Sequence, residues 1–285
     1  MAMSTPRLSS VMLNGQLPKF AEHIIAGMIM TPVDQLVVAS PADSLAHALE
    51  KMGATFDQLP VIHQGTLAGM LFRDRIPNSG DGQIADIFSP LSTLDSILSS
   101  ESMLEAIECL VRSPCCIVFD AESGGFAGLL HYADLNRQAV RLFCYLWTSA
   151  LEMSLAELLT MNQPDDMSWI ESLAQHRQVQ VLGRHEYGRR QNIELSPVEG
   201  LELSDLLNIW PKQERLLNLF AMSKSEFKKK TNHLVELRNA AMHPVRSLLN
   251  GHAEVAVFQR RMHDLREMVR KSVTLIQENG VDGAC

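Results

Sequence analysis

The sequence predicts an α+β N-terminal half made of a duplicated unit, followed by an all-α helical bundle. Three observations predict it. Residues 24–136 read strand–helix–strand–strand twice over. From residue 135 onward apolar residues recur at helical spacing, and no strand pattern of comparable quality follows. A chain of 285 residues has room for about two hydrophobic cores.

The first twenty or so residues, rich in Ser, Pro and Gly, are expected as a loose arm (1–22). The first copy opens at Met30-Thr31-Pro32, with a short strand at Leu36-Val37-Val38 and a helix over 44–52. Strands 58–62 and 67–72 then flank the turn His63-Gln64-Gly65. The second copy starts at 84–90 and 93–98. Its helix is announced by the capping box Ser102-x-x-Glu105 and continues through Leu104, Ile107, Leu110 and Val111. Strands 115–119 and 126–130 flank Glu122-Ser123-Gly124-Gly125.

The repeat pair is bounded at 23–138 and the helical domain at 139–285. One long apolar helix is expected over 135–161, with Val140, Phe143, Trp147, Leu151, Leu155 and Leu158 on its stripe. Helices follow over 169–181 and 201–210. Another runs from the cap Ser223-x-x-Glu226 to His243, and a last one spans 253–277, stopped at Asn279-Gly280.

Hydrophobic residues make up 46 % and charged residues 20 %, an ordinary globular balance. Few aromatics and fifteen methionines favour aliphatic, adaptable packing. No run of about 18 apolar residues is free of charge, so no membrane span is expected. The start lacks the pattern of a secretory signal. Cysteines 109, 115, 116, 144 and 285 form no CxxC pair and no metal-ligand spacing, which suits a reducing cytoplasm; Cys115 and Cys116 read as core. The formal net charge is −8. Residues 222–271 carry eleven Lys/Arg against five Asp/Glu, a net +6, leaving −14 elsewhere. A local basic surface on an acidic protein is the footprint of a polyanion partner. No P-loop, GxGxxG, GxSxG or zinc-finger spacing is present, and there is no DNA-specific motif.

The opening Met-Thr-Pro, the Leu59-Pro60-Val61 strand and the closing Gly128-Leu129-Leu130-His131-Tyr132-Ala133-Asp134 resemble the CBS domain. The resemblance implies a tandem pair, a Bateman module, with an adenine nucleotide (AMP, ADP or ATP) in the cleft between repeats. In that family the closing segment carries a hydroxyl that helps hold phosphate and an Asp that accepts from the ribose. Here the second copy keeps Asp134 and has His131 in the hydroxyl position. The first copy, Gly69-Met70-Leu71-Phe72-Arg73-Asp74-Arg75, has Phe72 and Arg75 instead. The resemblance therefore implies one surviving ribose site, at Asp134. Arg73 and Arg75 are candidates for phosphate contacts because guanidinium suits phosphate. The alternative is that both sites are degenerate and the pair is a dimerisation scaffold.

In the helical half, Arg238-Asn239-Ala240-Ala241-Met242-His243-Pro244 draws attention. Asn239 and His243 are four apart and share a helix face, with Arg238 about 100° round. Pro244 disfavours helical geometry at His243, so the imidazole is expected at a helix end. Imidazole moves protons near neutrality, and guanidinium stabilises charge building on phosphorus. The bland alternative is a histidine serving the helix dipole.

Leu237-Arg238-Asn239-x-x-Met242-His243-Pro244, with the helix around Leu151-Glu152-Met153 and the segment Leu203-Ser204-Asp205-Leu206-Leu207, resembles the HEPN superfamily over about 135–277. The resemblance implies a cytoplasmic homodimer with two Arg-x4-His motifs facing one cleft. It also implies metal-independent endoribonuclease activity that leaves a cyclic phosphate, in settings such as stress response or phage defence. Carried over, Arg238 stabilises the transition state, His243 is acid or base, Asn239 positions, and Glu152 orients Arg238 or His243. No catalytic cofactor or metal is implied. Lys228-Lys229-Lys230 and Arg260, Arg261, Arg266 and Arg270 are candidates for tracking an RNA backbone, or plain solvated faces. A non-enzymatic RNA- or protein-binding regulator stands as the alternative to the enzyme.

Overall fold

The structure is a computed structural model. It describes residues 10–162, 167–193 and 196–282, with side chains described from 15 to 278 within those ranges. The chain forms two compact units: 24–139 with 249–256, and the helical remainder. The α+β half and the helical half therefore stand as the sequence predicts, except that each is assembled from separated stretches.

The N-terminal unit holds two small sheets. Strands β1 (Thr31–Pro32), β2 (Gln58–His63), β3 (Thr66–Phe72), β4 (Ser89–Pro90), β5 (Ser96–Leu98), β6 (Cys115–Phe119) and β7 (Phe126–His131) carry helices α2 (Leu45–Met52) and α3 (Met103–Arg112). One sheet has the order β1-β7-β6-β5 and the other β2-β3-β4. Each copy thus lends its opening strand to the other copy's hairpin. Ser44 caps α2 through the His47 amide, and Ser102 and Glu105 form the expected capping box on α3. In the β2–β3 turn Gln64 and Gly65 both have positive φ.

The strand exchange has a steric condition. Pro32 lies opposite Gly128, and Pro90 opposite Gly69. A Cβ at Gly128 would sit 2.2 Å from the Thr31 carbonyl oxygen, and one at Gly69 1.9 Å from that of Ser89. Only glycine lets the backbones approach so closely.

The helical unit comprises α1 (Ser10–Glu22), α4 (Gln138–Asn162, beginning two residues before this unit's boundary), α5 (Gln175–Arg190), α6 (Leu203–Ile209), α7 (Glu214–Leu219), α8 (Lys224–Thr231), α9 (Leu234–Met242) and α10 (Val255–Asp282). α4 is long and apolar enough to cross a membrane by length and composition. Here Phe143, Cys144, Trp147, Leu151, Leu155 and Leu158 are buried, so α4 packs as a core helix. Cys144 Sγ meets Met262 Sδ of α10 at 3.9 Å. Trp210 stacks on Phe227 at 6.0 Å and meets the edge of Phe220 at 5.0 Å, which makes Trp210-Pro211 packing.

Several expectations are corrected. Residues 10–22 of the expected loose arm form α1, while residues 1–9 lie outside the described residues. Leu36, Val37 and Val38 follow a 3-10 turn (Val33–Gln35) and pair with nothing as a strand; only Ala39 bridges Val61. The 84–90 stretch is a 3-10 turn (Ile84–Asp86) followed by the two-residue β4, and the 93–98 stretch ends in β5. The expected helix over 169–181 is a 3-10 turn (Ser168–Ser172) followed by α5. The single helix from Ser223 to His243 is broken into α8 and α9 at Asn232-His233. Just before the break, Thr231 Oγ1 donates back to the Phe227 carbonyl at 2.8 Å. α10 runs through Asn279-Gly280 instead of stopping there.

The cysteine reading is corrected too. Cys109 and Cys116 are disulfide-bonded, joining α3 to β6. Their Cα atoms are 6.5 Å apart only because α3 packs on β6, a tertiary relation that no spacing motif encodes. Cys115 and Cys144 are buried free thiols, each pushed up to about 12 by burial. Cys285 lies outside the described residues.

Replacing Gly69 or Gly128 with alanine forces the paired backbones apart. Each variant is expected to lose about 1–3 kcal/mol of stability, as overpacking typically costs. Denaturant unfolding measures it, and a midpoint equal to that of the parent protein would show the close approach to be dispensable.

Candidate functional site

The N-terminal unit encloses a cavity of about 310 Å³. That is at the lower end of small-molecule sites, roughly 300–1,000 Å³. Thr31, the 3-10 turn and the stretch after it (Gln35, Leu36, Val37) form one wall. Residues Thr55–Pro60, leading into β2, form another. Leu129, His131, Ala133 and Asp134, from the end of β7 and the 3-10 turn after it, complete the lining. First-copy and second-copy residues thus meet around one space, His131 and Asp134 among them.

Asp134 is already engaged. Its Oδ2 accepts the His131 amide at 2.7 Å, and its Oδ1 meets Arg137 Nε at 2.8 Å. Burial raises its carboxyl above the usual range, while the His131 amide and Arg137 pull the other way. Each carboxylate oxygen has a second lone pair, so both can still accept from a ligand hydroxyl. Burial lowers the His131 imidazole, against the pull of Asp134 and Asp57. The lining holds two carboxylates and one histidine and no Lys or Arg. Arg137, nearest by chain, also donates to the Met30 carbonyl at 2.8 Å and Thr31 Oγ1 at 2.7 Å.

Arg73 and Arg75, expected as phosphate contacts, do not line the cavity. Arg73 donates to the carbonyls of Gly53 (2.5 Å) and Phe56 (2.9 Å), so it braces the loop after α2 from behind. Arg75 lies over the Phe72 ring, 5.8 Å from its centroid. The Phe72 that replaces a hydroxyl thus also holds Arg75.

In the helical unit, α9 ends where Pro244 predicts. His243 has left the helix (φ −107°, ψ 96°), and its amide donates to the Asn239 carbonyl at 3.0 Å. His243 is exposed, and Val245 beyond it is 94 % exposed. Arg238 and Asn239 are half-buried, with Arg238 Nη1 3.4 Å from Asn239 Oδ1. Glu152 on α4 is also half-buried. Burial raises its carboxyl, and Arg238 is the nearest positive influence opposing that; Glu202 and Asp205 push it further up. The Leu203 amide, at the start of α6, also lowers it. Asp205, buried beside it, holds Arg177 Nη2 at 2.6 Å and caps α6 through the Glu202 amide.

Sequence reading missed Arg141. Buried in the first turn of α4, it donates to the carbonyls of Ala240 (2.5 Å), His243 (3.3 Å) and Arg246. The Ala240 carbonyl is one that a terminating helix leaves without a donor, and those of His243 and Arg246 belong to the turn that follows, where the Arg246 amide also donates to His243. The one available signal was a charge on the apolar stripe of a core helix, where an unpaired charge is costly.

Of the basic candidates, Lys230 is paired with Glu267 at 2.6 Å and Asp264 at 3.5 Å, while Lys228 and Lys229 are exposed. Arg266 and Arg270 line a cleft on α10. Among the described residues no group of three or more His, Cys, Asp or Glu is placed to hold a metal ion.

Residues 26–76 match the CBS domain family. The second copy, which exchanges opening strands with the matched one, repeats its helix-and-hairpin topology. Solved structures similar to the chain include the CBS-pair protein CBSX2 of Arabidopsis thaliana (23 % identity, 41 % of this chain and 95 % of that one, TM-score 0.37). A second is a CBS domain-containing hemolysin-like protein of Oenococcus oeni PSU (19 %, 42 % and 93 %, TM-score 0.36). A third is the CBS domain of a bacterial CNNM/CorC family Mg2+ transporter in complex with ATP (19 %, 46 % and 94 %, TM-score 0.37). No curated protein sequence is significantly similar to the chain.

Arg141→Met would remove a charged donor from the Ala240, His243 and Arg246 carbonyls, leaving His243 the Arg246 amide. The expected loss is about 1–3 kcal/mol, the usual size for hydrogen bonds to a charged group. Amide exchange at His243 and Arg246 should quicken more than in α5. Unchanged protection at both amides would remove Arg141 as the anchor of this helix end.

Proposed function

We propose that the chain is a nucleotide-responsive, metal-independent endoribonuclease that works as a homodimer. The observation that carries this reading is the presentation of His243: exposed, outside the helix, and fixed by a buried guanidinium on the carbonyls around it. Backbone that would otherwise fray is held while the imidazole remains free to meet a substrate.

The chemistry asks little of the protein. The 2′-hydroxyl of a ribose attacks the adjacent phosphorus, and one His243 takes its proton. The bond from phosphorus to the 5′-oxygen breaks, and a second His243, from the other copy, gives that oxygen a proton. A 2′,3′-cyclic phosphate and a 5′-hydroxyl remain. Arg238 stabilises the charge that builds on the phosphoryl oxygens, and Asn239 positions the phosphodiester. Glu152, beside Arg238, orients the guanidinium.

The CBS pair is the regulatory half of the proposal. The family match and the cavity lined by Asp57, His131 and Asp134 support an adenosine-bearing ligand, with Asp134 accepting from the ribose. Both lining carboxylates are ion-paired, Asp57 with Arg73 at 3.6 Å and Asp134 with Arg137 at 2.8 Å, so neither faces a ligand phosphate as an uncompensated charge. One observation favours the second reading, a scaffold without ligand: both oxygens of Asp134 already have partners.

Calorimetric titration separates the two. At least one of AMP, ADP and ATP is expected to bind, with Asp134→Asn weakening it by about tenfold, as loss of one charge-assisted hydrogen bond implies. Silence with adenosine and all three nucleotides would leave the scaffold reading.

Cleavage of single-stranded RNA in excess chelator tests the helical half. His243→Ala and Arg238→Ala should each lower the rate by at least about 10²-fold, the usual size of an acid–base or charge-stabilising contribution. Cleavage that survives His243→Ala would refute the assignment.

A further inference from the structure

We propose that the cleft on α10 between His263 and Thr274 is a second, non-catalytic binding site, one that takes phosphate groups of the RNA backbone. It rests on the reading of the helical unit as acting on RNA. The cleft holds about 310 Å³ and is lined by His263, Arg266, Glu267, Arg270, Lys271 and Thr274. These positions recur at three- and four-residue spacing, so a single helix face presents them all.

The charges in this cleft are not balanced from within. Glu267, its one lining carboxylate, is held by Lys230 of α8 at 2.6 Å, and Asp264 next to it by the same ammonium at 3.5 Å. Lys271 donates to the Phe220 carbonyl and lies 5.9 Å from that ring's centroid, which fixes its ammonium. Arg266 sits 5.2 Å from the centroid of the buried Trp147 ring, and its buried Nε has no hydrogen-bond partner. Burial, and then Arg270 beside it, disfavour its charge; Glu22 of α1 pulls the other way. Arg270 is exposed.

Two guanidiniums thus lie near each other and, among the described residues, neither has a bonded carboxylate of its own. Like charges so placed are relieved by an anion, and a phosphodiester suits the planar fork of arginine. The Thr274 hydroxyl, exposed one turn beyond Arg270, adds a donor to the same oxygens. Trp147 is buried and is not a stacking surface for bases, so the site reads backbone and not sequence.

The test uses the full chain carrying His243→Ala, so that binding is read without cleavage. Fluorescence anisotropy with a labelled single-stranded RNA is followed over a salt series. Arg270→Gln is expected to weaken RNA by about 3- to 10-fold for every sequence tried. It should also flatten the plot of log affinity against log salt by about 0.7, as loss of one contact to a single strand implies. Arg266→Gln should act in the same direction, and Arg266→Lys, which keeps the charge, should restore most of the affinity. Arg189→Gln, from an exposed pair with Glu186 on α5, should change neither quantity. Parental affinity and slope in Arg270→Gln and in a folded Arg266→Gln would overturn the proposal. So would polyglutamate that binds as tightly as RNA and loses as much on Arg270→Gln, because the site would then be one for acidic peptides. Absent cleavage with an intact Arg270 effect would sink the nuclease and spare this site; cleavage with no Arg270 effect would do the reverse.

Discussion

A helix that stops inside a folded unit leaves carbonyl groups facing the interior without donors, and each must find one or cost free energy. At the end of α9 a single guanidinium meets this demand. Arg141 is buried on α4 and reaches three carbonyls across the turn from Ala240 to Arg246. The exposed His243 and Val245 owe their fixed backbone to it. Because α4 also supplies Phe143, Trp147 and Leu151 to the core, the position of the helix end is set by the core itself. Glu152 lies about three turns further along the same helix, where it feels the charge of Arg238. α4 thus organises the candidate site from beneath.

The N-terminal unit depends on a different constraint, the near contact of two backbones at Gly69 and Gly128. The exchange of opening strands brings Thr31 against the end of β7, and so places the first copy's Thr55–Pro60 loop across from His131 and Asp134. The cavity is a product of that exchange. Its charge differs from what the basic residues nearby suggest, because Arg73 and Arg137 are turned to backbone carbonyls and to Asp134.

Most of this architecture was legible in the sequence where local chemistry decides it. The capping boxes at Ser102 and Ser223 set helix starts, Pro244 set a helix end, and the alternating apolar runs at 58–63 and 115–119 became strands. Where distant partners decide, the sequence misled. Arg73 has the chemistry of a phosphate ligand but finds carbonyls seventeen and twenty residues back. Cys109 and Cys116 meet because α3 folds onto β6. Arg141 looked like an interruption of an apolar stripe, since its carbonyl partners lie about a hundred residues further on. The break at Asn232-His233 follows Thr231, whose hydroxyl turns back on its own helix, but the same back-bond at Thr148, Ser154 and Ser272 leaves α4 and α10 unbroken, so residue type does not announce it.

The stretch 249–256 belongs to the N-terminal unit although the chain on both sides of it belongs to the helical one. Leu249 exchanges two backbone–side-chain hydrogen bonds with Asn136, and His252 caps the Leu110 carbonyl at 2.7 Å while its ring approaches Tyr132. The ribosome makes the chain from one end, so the first 139 residues emerge well before this piece of their own unit. Its contacts close at separations of 113 and 142 residues. The N-terminal unit is therefore finished only after the segment bearing Arg238 and His243 has been synthesised. A nascent chain cut short anywhere before residue 249 carries neither a complete N-terminal unit nor any of α10.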